Sequence, residues 1–106
     1  MKTSLIIEET QDTPKIYFDK DKSIFEISGR SLPENAMKFY EPVLKWLEEY
    51  IVTPNSLTCF EFKLDYFNSA STKKLFEIIS LLERLKENNS SVNITWYYSK
   101  EDELIK

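Results

Sequence analysis

The 106-residue chain has no histidine, one glycine, one cysteine and four prolines. Each scarcity removes a class of chemistry. Without histidine the commonest general base and the commonest metal ligand are missing, so a Ser-His-Asp triad or an ordinary zinc site has no basis here. The single glycine, Gly29, rules out a Walker phosphate loop and a dinucleotide fingerprint, because both need several glycines to bring backbone close to phosphate. Cys59 alone forms no intramolecular disulfide and no multi-cysteine metal site, which suits a reducing compartment. Lysine and arginine number 14 against 18 acids, a net charge of −4, and this weighs against nucleic acid as a partner. No run approaches the roughly 20 apolar residues that span a bilayer, and the N-terminal MKTSLIIEETQDTP carries acids where a signal peptide keeps its apolar region. The expectation is a cytoplasmic protein with no membrane anchor, no metal and no cofactor.

What is present is core material. Hydrophobic residues make up 42% of the chain, charged residues 30% and aromatics 14%, enough for one globular domain over residues 1–106 without staples. Residues 1–13 are polar apart from Leu5, Ile6 and Ile7 and read as a loose N-terminal arm or a short edge strand. Lys15 to Asp19 and Ser23 to Gly29 alternate apolar and polar residues around Asp19-Lys20-Asp21-Lys22, the pattern of a hairpin. Gly29 is expected to close the second strand, where a positive φ helps the chain turn.

Ser31-Leu32-Pro33-Glu34 then reads as a helix start, with Ser31 as N-cap, Pro33 in the first turn and Glu34 completing a capping box. The stripe Ala36, Phe39, Tyr40, Val43, Leu44, Leu47, Tyr50 follows at helical spacing, with Pro42 expected to kink the helix near Lys38. From Leu57 to Tyr66 the alternation is strict, Phe60, Phe62, Leu64 and Tyr66 on one face and Cys59, Glu61, Lys63 and Asp65 on the other. Ser71 to Asn88 return to helical period through Leu75, Ile78, Ile79, Leu82 and Leu85, with Asn88-Asn89-Ser90-Ser91 as a stop. Val92 to Tyr98 alternate again, and the acidic stretch before Lys106 opens like another helix. The order β-β-α-β-α-β, with every strand alternating, predicts an α/β two-layer sandwich, a mixed sheet with helices packed mainly on one face.

Three features invite a chemical reading and each has a plainer one. Glu61 and Asp65 on one strand face suggest a carboxylate enzyme, but surface acids are usually just solvated. Cys59 on the same face reads as an inert, partly buried thiol, since Glu61 beside it does nothing to favour a thiolate. Trp46 and Trp96 fall at helix and strand periods and so belong to the core before they belong to a ligand cage.

The junction Tyr66-Phe67-Asn68-Ser69-Ala70-Ser71-Thr72-Lys73 is more pointed. If the strand ends near Tyr66, Asn68 or Ser69 sits at the N-cap, where one polar side chain suffices. Here Ser69, Ser71 and Thr72 crowd the first turn despite poor helix propensity. A helix N-terminus also accommodates phosphate, so the same point is suited to a phosphorylatable hydroxyl. Composition alone leaves cap and switch both open.

TPKIYFDKDKSIFEISGRSLPENAMKFYEPVLKWLEEY, the junction FEFKLDYFNSASTK and VNITWYY, together spanning most of Thr13 to Tyr98, resemble the SiaC family of bacterial regulatory phosphoproteins. The resemblance implies a non-enzymatic adaptor in a partner-switching pathway, similar to the anti-sigma-factor antagonists of the STAS type in fold and in logic. It implies a kinase of the SiaB type, a PP2C-like phosphatase of the SiaA type, and an output protein such as a GGDEF diguanylate cyclase, bound and activated by the unmodified form. Carried over by position, the phosphoacceptor is Ser69, where the familiar pattern has threonine, with Ser71 and Thr72 as the nearby alternatives. Asn68 and Lys73 fall in the implied partner surface, as do Pro33, Glu34 and Asn35 unless those three only cap the first helix. The family continues into a further helix and strand, which the resemblance implies are missing here. Rivals from other classes are a constitutive scaffold or dimerisation module and the small carboxylate enzyme.

Overall fold

Alternation in the strands works as expected, since successive side chains point to opposite faces and only one face is apolar. The computed structural model describes residues 2–97. Strands β1 (Ser4–Ile7), β2 (Lys15–Asp19) and β3 (Ile24–Ser31) form an antiparallel meander; helix α1 (Ala36–Tyr50) leads to β4 (Leu57–Phe67), and α2 (Ser69–Glu83), extended by a 3-10 turn (Arg84–Asn88), leads to β5 (Ser91–Trp96). The five strands lie in sequence order, β3, β4 and β5 being mutually parallel. Ile16 and Phe18, Phe25 and Ile27, and Phe60, Phe62 and Leu64 bury one sheet face against Tyr40, Val43, Trp46 and Leu47 of α1 and Leu75, Ile78 and Leu82 of α2, in one cluster. The architecture is therefore a mixed two-layer α/β sandwich whose second sheet face is left uncovered by the described residues. Because the strand order never reverses, the sheet has none of the crevices in which open α/β folds usually hold small ligands.

Several expectations are corrected in detail. Of the two readings of the N-terminal residues, the short edge strand holds and the loose arm does not: β1 pairs with β2 at the sheet edge, and the Leu32 N–H donates to the Asp12 carbonyl at 2.7 Å. Gly29 does not close β3. Its φ is 104°, a Cβ there would stand 2.9 Å from Glu9 Oε2, and the register with β4 shifts just after it, from Gly29 opposite Leu64 to Arg30 opposite Tyr66. Two residues of β4 thus advance against one of β3, a bulge that inverts the alternation. Tyr66 goes to the open face opposite Arg30 and is exposed, while Phe67 swings to the helix side, pairing with buried Ser31.

Ser31 is not the N-cap of α1 either. It ends β3, and Asn35 takes the cap, its Oδ1 accepting the Lys38 N–H at 3.0 Å. Pro33 therefore lies outside the helix, buried in the connection. Pro42 lies inside α1 as expected, and the helix continues on both sides of it. The stop after α2 falls on Asn89, whose φ of 58° is the left-handed ending that asparagine tolerates. Tyr98 and the acidic stretch after it lie outside the described residues.

Candidate functional site

The carboxyl ends of β3 and β4 and the amino ends of α1 and α2 meet at one end of the sandwich. This end holds all the hydroxyls of the serine-rich junction. Asn68 is the N-cap of α2, its Oδ1 accepting the Ser71 N–H at 2.9 Å and its N–H donating to the Ser31 carbonyl at 3.0 Å. One residue does the capping, so the remaining hydroxyls are free for other roles, and they divide sharply.

Ser71 is fully buried. Its Oγ lies 2.7 Å from Ser31 Oγ and donates to the Ser31 carbonyl at 3.1 Å; Ser31 Oγ is in turn 2.5 Å from the Tyr40 hydroxyl. Burial pushes the Tyr40 phenol above its ordinary pKa, with the hydrogen bonds to Ser31 and Ser71 pulling weakly the other way. Thr72 spends its hydroxyl on the Asn68 carbonyl at 3.1 Å. Ser69, first residue of the helix, is exposed, and among the described residues its hydroxyl has no hydrogen-bond partner. Of the three hydroxyls, only Ser69 is accessible and unengaged.

The surrounding surface follows from helical spacing. Ser69, Lys73 and Phe76 lie at i, i+4 and i+7 on one face of α2, and all three are exposed, Phe76 to 64%. Phe67, Thr72, Leu75, Phe76, Ile79 and Trp96 line an apolar depression of about 80 Å³ beside this first turn. Sequence reasoning missed Phe76 and the equally exposed Met37, although an aromatic lying off the Leu75, Ile78, Leu82 stripe is a readable signal. Glu34 and Asn35 are exposed in the connection that leaves Ser31, at this same end, whereas buried Pro33 offers no surface.

The open sheet face shows no catalytic arrangement. Glu61 accepts from the Tyr97 hydroxyl at 2.6 Å, which raises the Tyr97 pKa, and Lys63 pairs with Glu26 at 3.0 Å, which raises that of Lys63. Neither Glu61 nor Asp65 lines the concavities beside α1 and α2. Cys59 is exposed, not partly buried. Trp46 is a core residue, its Nε1 donating to the Lys2 carbonyl at 3.0 Å, but Trp96 sits at the rim, 40% exposed and stacked 4.4 Å from Phe62. Among the described residues no three potential ligands cluster to hold a metal, and no helix is long and apolar enough to cross a membrane.

Among the described residues, a two-layer sheet with an exposed serine at the start of α2 forms the frame of a small regulatory domain. The family profile described as SiaC family regulatory phosphoprotein matches residues 7–106, and the chain belongs to that family. Its members are regulators, not enzymes. A curated protein of Pseudomonas aeruginosa strain UCBPP-PA14 is 28% identical over 103 residues, 97% of this chain and 82% of that one. The crystal structure of apo-SiaC from Pseudomonas aeruginosa is similar with a TM-score of 0.88 at 28% identity, covering 95% of this chain and 84% of that one. SiaC in its complex with the diguanylate cyclase SiaD, of which it is the activator, is similar with a TM-score of 0.87 at 29% identity, covering 95% and 83%.

Proposed function

We propose that this chain is a phosphorylation-controlled adaptor whose switch is Ser69. A kinase of the SiaB type phosphorylates it, a PP2C-like phosphatase of the SiaA type restores it, and the unmodified form binds and activates an output protein in the cytoplasm. The observation that carries the reading is the contrast within one helical turn: Ser71 buried, Thr72 bonded to backbone, Ser69 exposed and, among the described residues, unbonded. A phosphate at the first position of α2 is favoured by the helix dipole and by the N–H groups of the first turn. It adds about −1.5 to −2 charge on the face where Lys73 and Phe76 are exposed. That change alters any contact made there, and a diguanylate cyclase is the output that the SiaD complex suggests. Asn68 shapes the turn from beneath, while Lys73, Glu34 and Asn35 form the polar border of the docking surface.

The test is mass spectrometry of the full chain after incubation with a SiaB-type kinase, ATP and magnesium. One phosphate mapped to Ser69, together with weaker binding of the phosphorylated form to a SiaD-type cyclase, is the expected result. A phosphate on another residue, or equal binding by both forms, removes the proposal.

A further inference from the structure

The hydroxyls of Ser31, Tyr40 and Ser71 are fully buried, and together they form a chain whose direction the donor count fixes. Ser71 gives its proton to the Ser31 carbonyl, so Ser31 must donate to Ser71 Oγ and Tyr40 to Ser31 Oγ. Burial holds the Tyr40 phenol in its protonated form, as the head of such a chain requires. No buried side-chain oxygen or nitrogen is left without a partner among the described residues. An apolar filling of this space stabilises a fold about as well, because buried polar pairs contribute little net stability. What a satisfied directional chain adds is a single arrangement.

The arrangement fixed here is the turn that carries Ser69. The Ser31 carbonyl accepts from both the Asn68 N–H and Ser71 Oγ, and Asn68 Oδ1 accepts the Ser71 N–H. Residues 68 and 71 are thus clamped to β3 and, through Tyr40, to α1, leaving Ser69 and Ala70 as the exposed span between two fixed points. We infer that the Tyr40–Ser31–Ser71 chain is a positioning device that presents Ser69 Oγ to the kinase in one orientation. The inference rests on Ser69 being the phosphoacceptor. Transfer forms a bond from the γ-phosphorus of ATP to Ser69 Oγ, breaks the bond to the bridging oxygen of ADP, and sends the serine proton to a base on the kinase. None of the three residues touches the transferred group; they act through where Ser69 is held, and positioning errors of about 1 Å cost such reactions on the order of a hundredfold.

The experiment compares phosphorylation kinetics of the full chain with Ser71→Ala and Tyr40→Phe, using Tyr50→Phe as the matched control. Tyr50 lies on the same helix, is equally buried and bonds Thr58 at the opposite end of the fold. We expect kcat to fall about tenfold in Ser71→Ala and about threefold in Tyr40→Phe with KM little changed, the pattern of lost positioning. Tyr50→Phe should lower the melting temperature without changing kcat. Tyr40→Phe alone decides the matter if Ser71→Ala does not fold. Hydrogen exchange at the Asn68 and Ser71 amides, which needs no kinase, should quicken in Tyr40→Phe and not in Tyr50→Phe. Unchanged kcat and exchange in Tyr40→Phe, or equal losses in Tyr50→Phe, overturn the inference. Wild-type protein carrying no phosphate on Ser69 overturns instead the assignment of the phosphoacceptor, and the exchange measurement still judges the clamp.

Discussion

The two ends of the sandwich use the same material differently. Each has a tyrosine from α1 with its hydroxyl buried, Tyr40 at the junction end and Tyr50 about 15 Å along the helix at the hairpin end. At the hairpin end the bonding runs on outward until the loops are tied together. Tyr50 bonds Thr58 at 2.6 Å and receives the Asn55 N–H at 3.1 Å. Asn55 Nδ2 donates to the Lys20 carbonyl and to Ser23 Oγ, its carbonyl accepts from Ser90, and Lys20 reaches the Thr53 carbonyl. At the junction end the bonding stops at Ser71 and Asn68, one step short of Ser69. One end is closed by its polar side chains; the other is held from beneath so that a single hydroxyl stays available.

The comparison is sharpest at the two asparagines. Asn55→Ala removes two side-chain bonds joining the hairpin turn to the connection after α1, including the one to Ser23, which is held at a φ of 55°. The expected loss is about 2 kcal/mol, read by urea denaturation, with phosphorylation of Ser69 unaffected. Asn68→Ala removes only the α2 cap and should cost about 1 kcal/mol, yet it should slow phosphorylation. If Asn55→Ala slowed phosphorylation as much, the two ends would not be separate in function.

Titration probes the junction end more gently. Burial holds the folded Tyr40 phenol above its ordinary value, so as pH rises past about 10 the unfolded chain loses this proton first. The native state then binds more protons than the unfolded one, and stability falls with pH. The contribution is intact below the ordinary tyrosine range and is lost as pH climbs through the raised folded value. Melting temperatures measured across this range should fall more steeply for wild type than for Tyr40→Phe. Parallel curves would mean that the phenol is not constrained as the buried chain requires.

The sequence showed the sheet layers and the hydroxyl junction because both rest on local signals: period-2 and helical stripes, and asparagine followed by hydroxyls at a strand end. It could not show which hydroxyl does what. Ser31 has the local signature of an N-cap, but its side chain is taken by Tyr40 and Ser71, the latter 40 residues away in sequence, and tertiary bonding overrides the local preference. Asn35 then caps α1 instead. Tyr66 fits the apolar alternation of β4 until the bulge opposite Gly29 and Arg30 inverts it, and a two-against-one register is a property of the strand pair. Exposed Phe76 was readable from its place off the helical stripe. Its nearness to Ser69 and Lys73 on one face of α2 became informative only with the helix start fixed at Ser69.

Ser69→Ala is the smallest change in stability and the most discriminating. Its hydroxyl is exposed and makes no hydrogen bond among the described residues, and alanine is the better helix former, so the folding free energy should move by less than about 0.5 kcal/mol. Phosphorylation should nevertheless vanish, and the variant should bind its output protein permanently, the behaviour proposed for the unmodified form. Ser71→Ala is the opposite case, buried and bonded, expected to lose stability while keeping Ser69. Equal stability losses for the two alanines, measured by denaturant titration side by side, would place Ser69 in the buried network and end the distinction between a serine that holds the turn and a serine that the turn holds out.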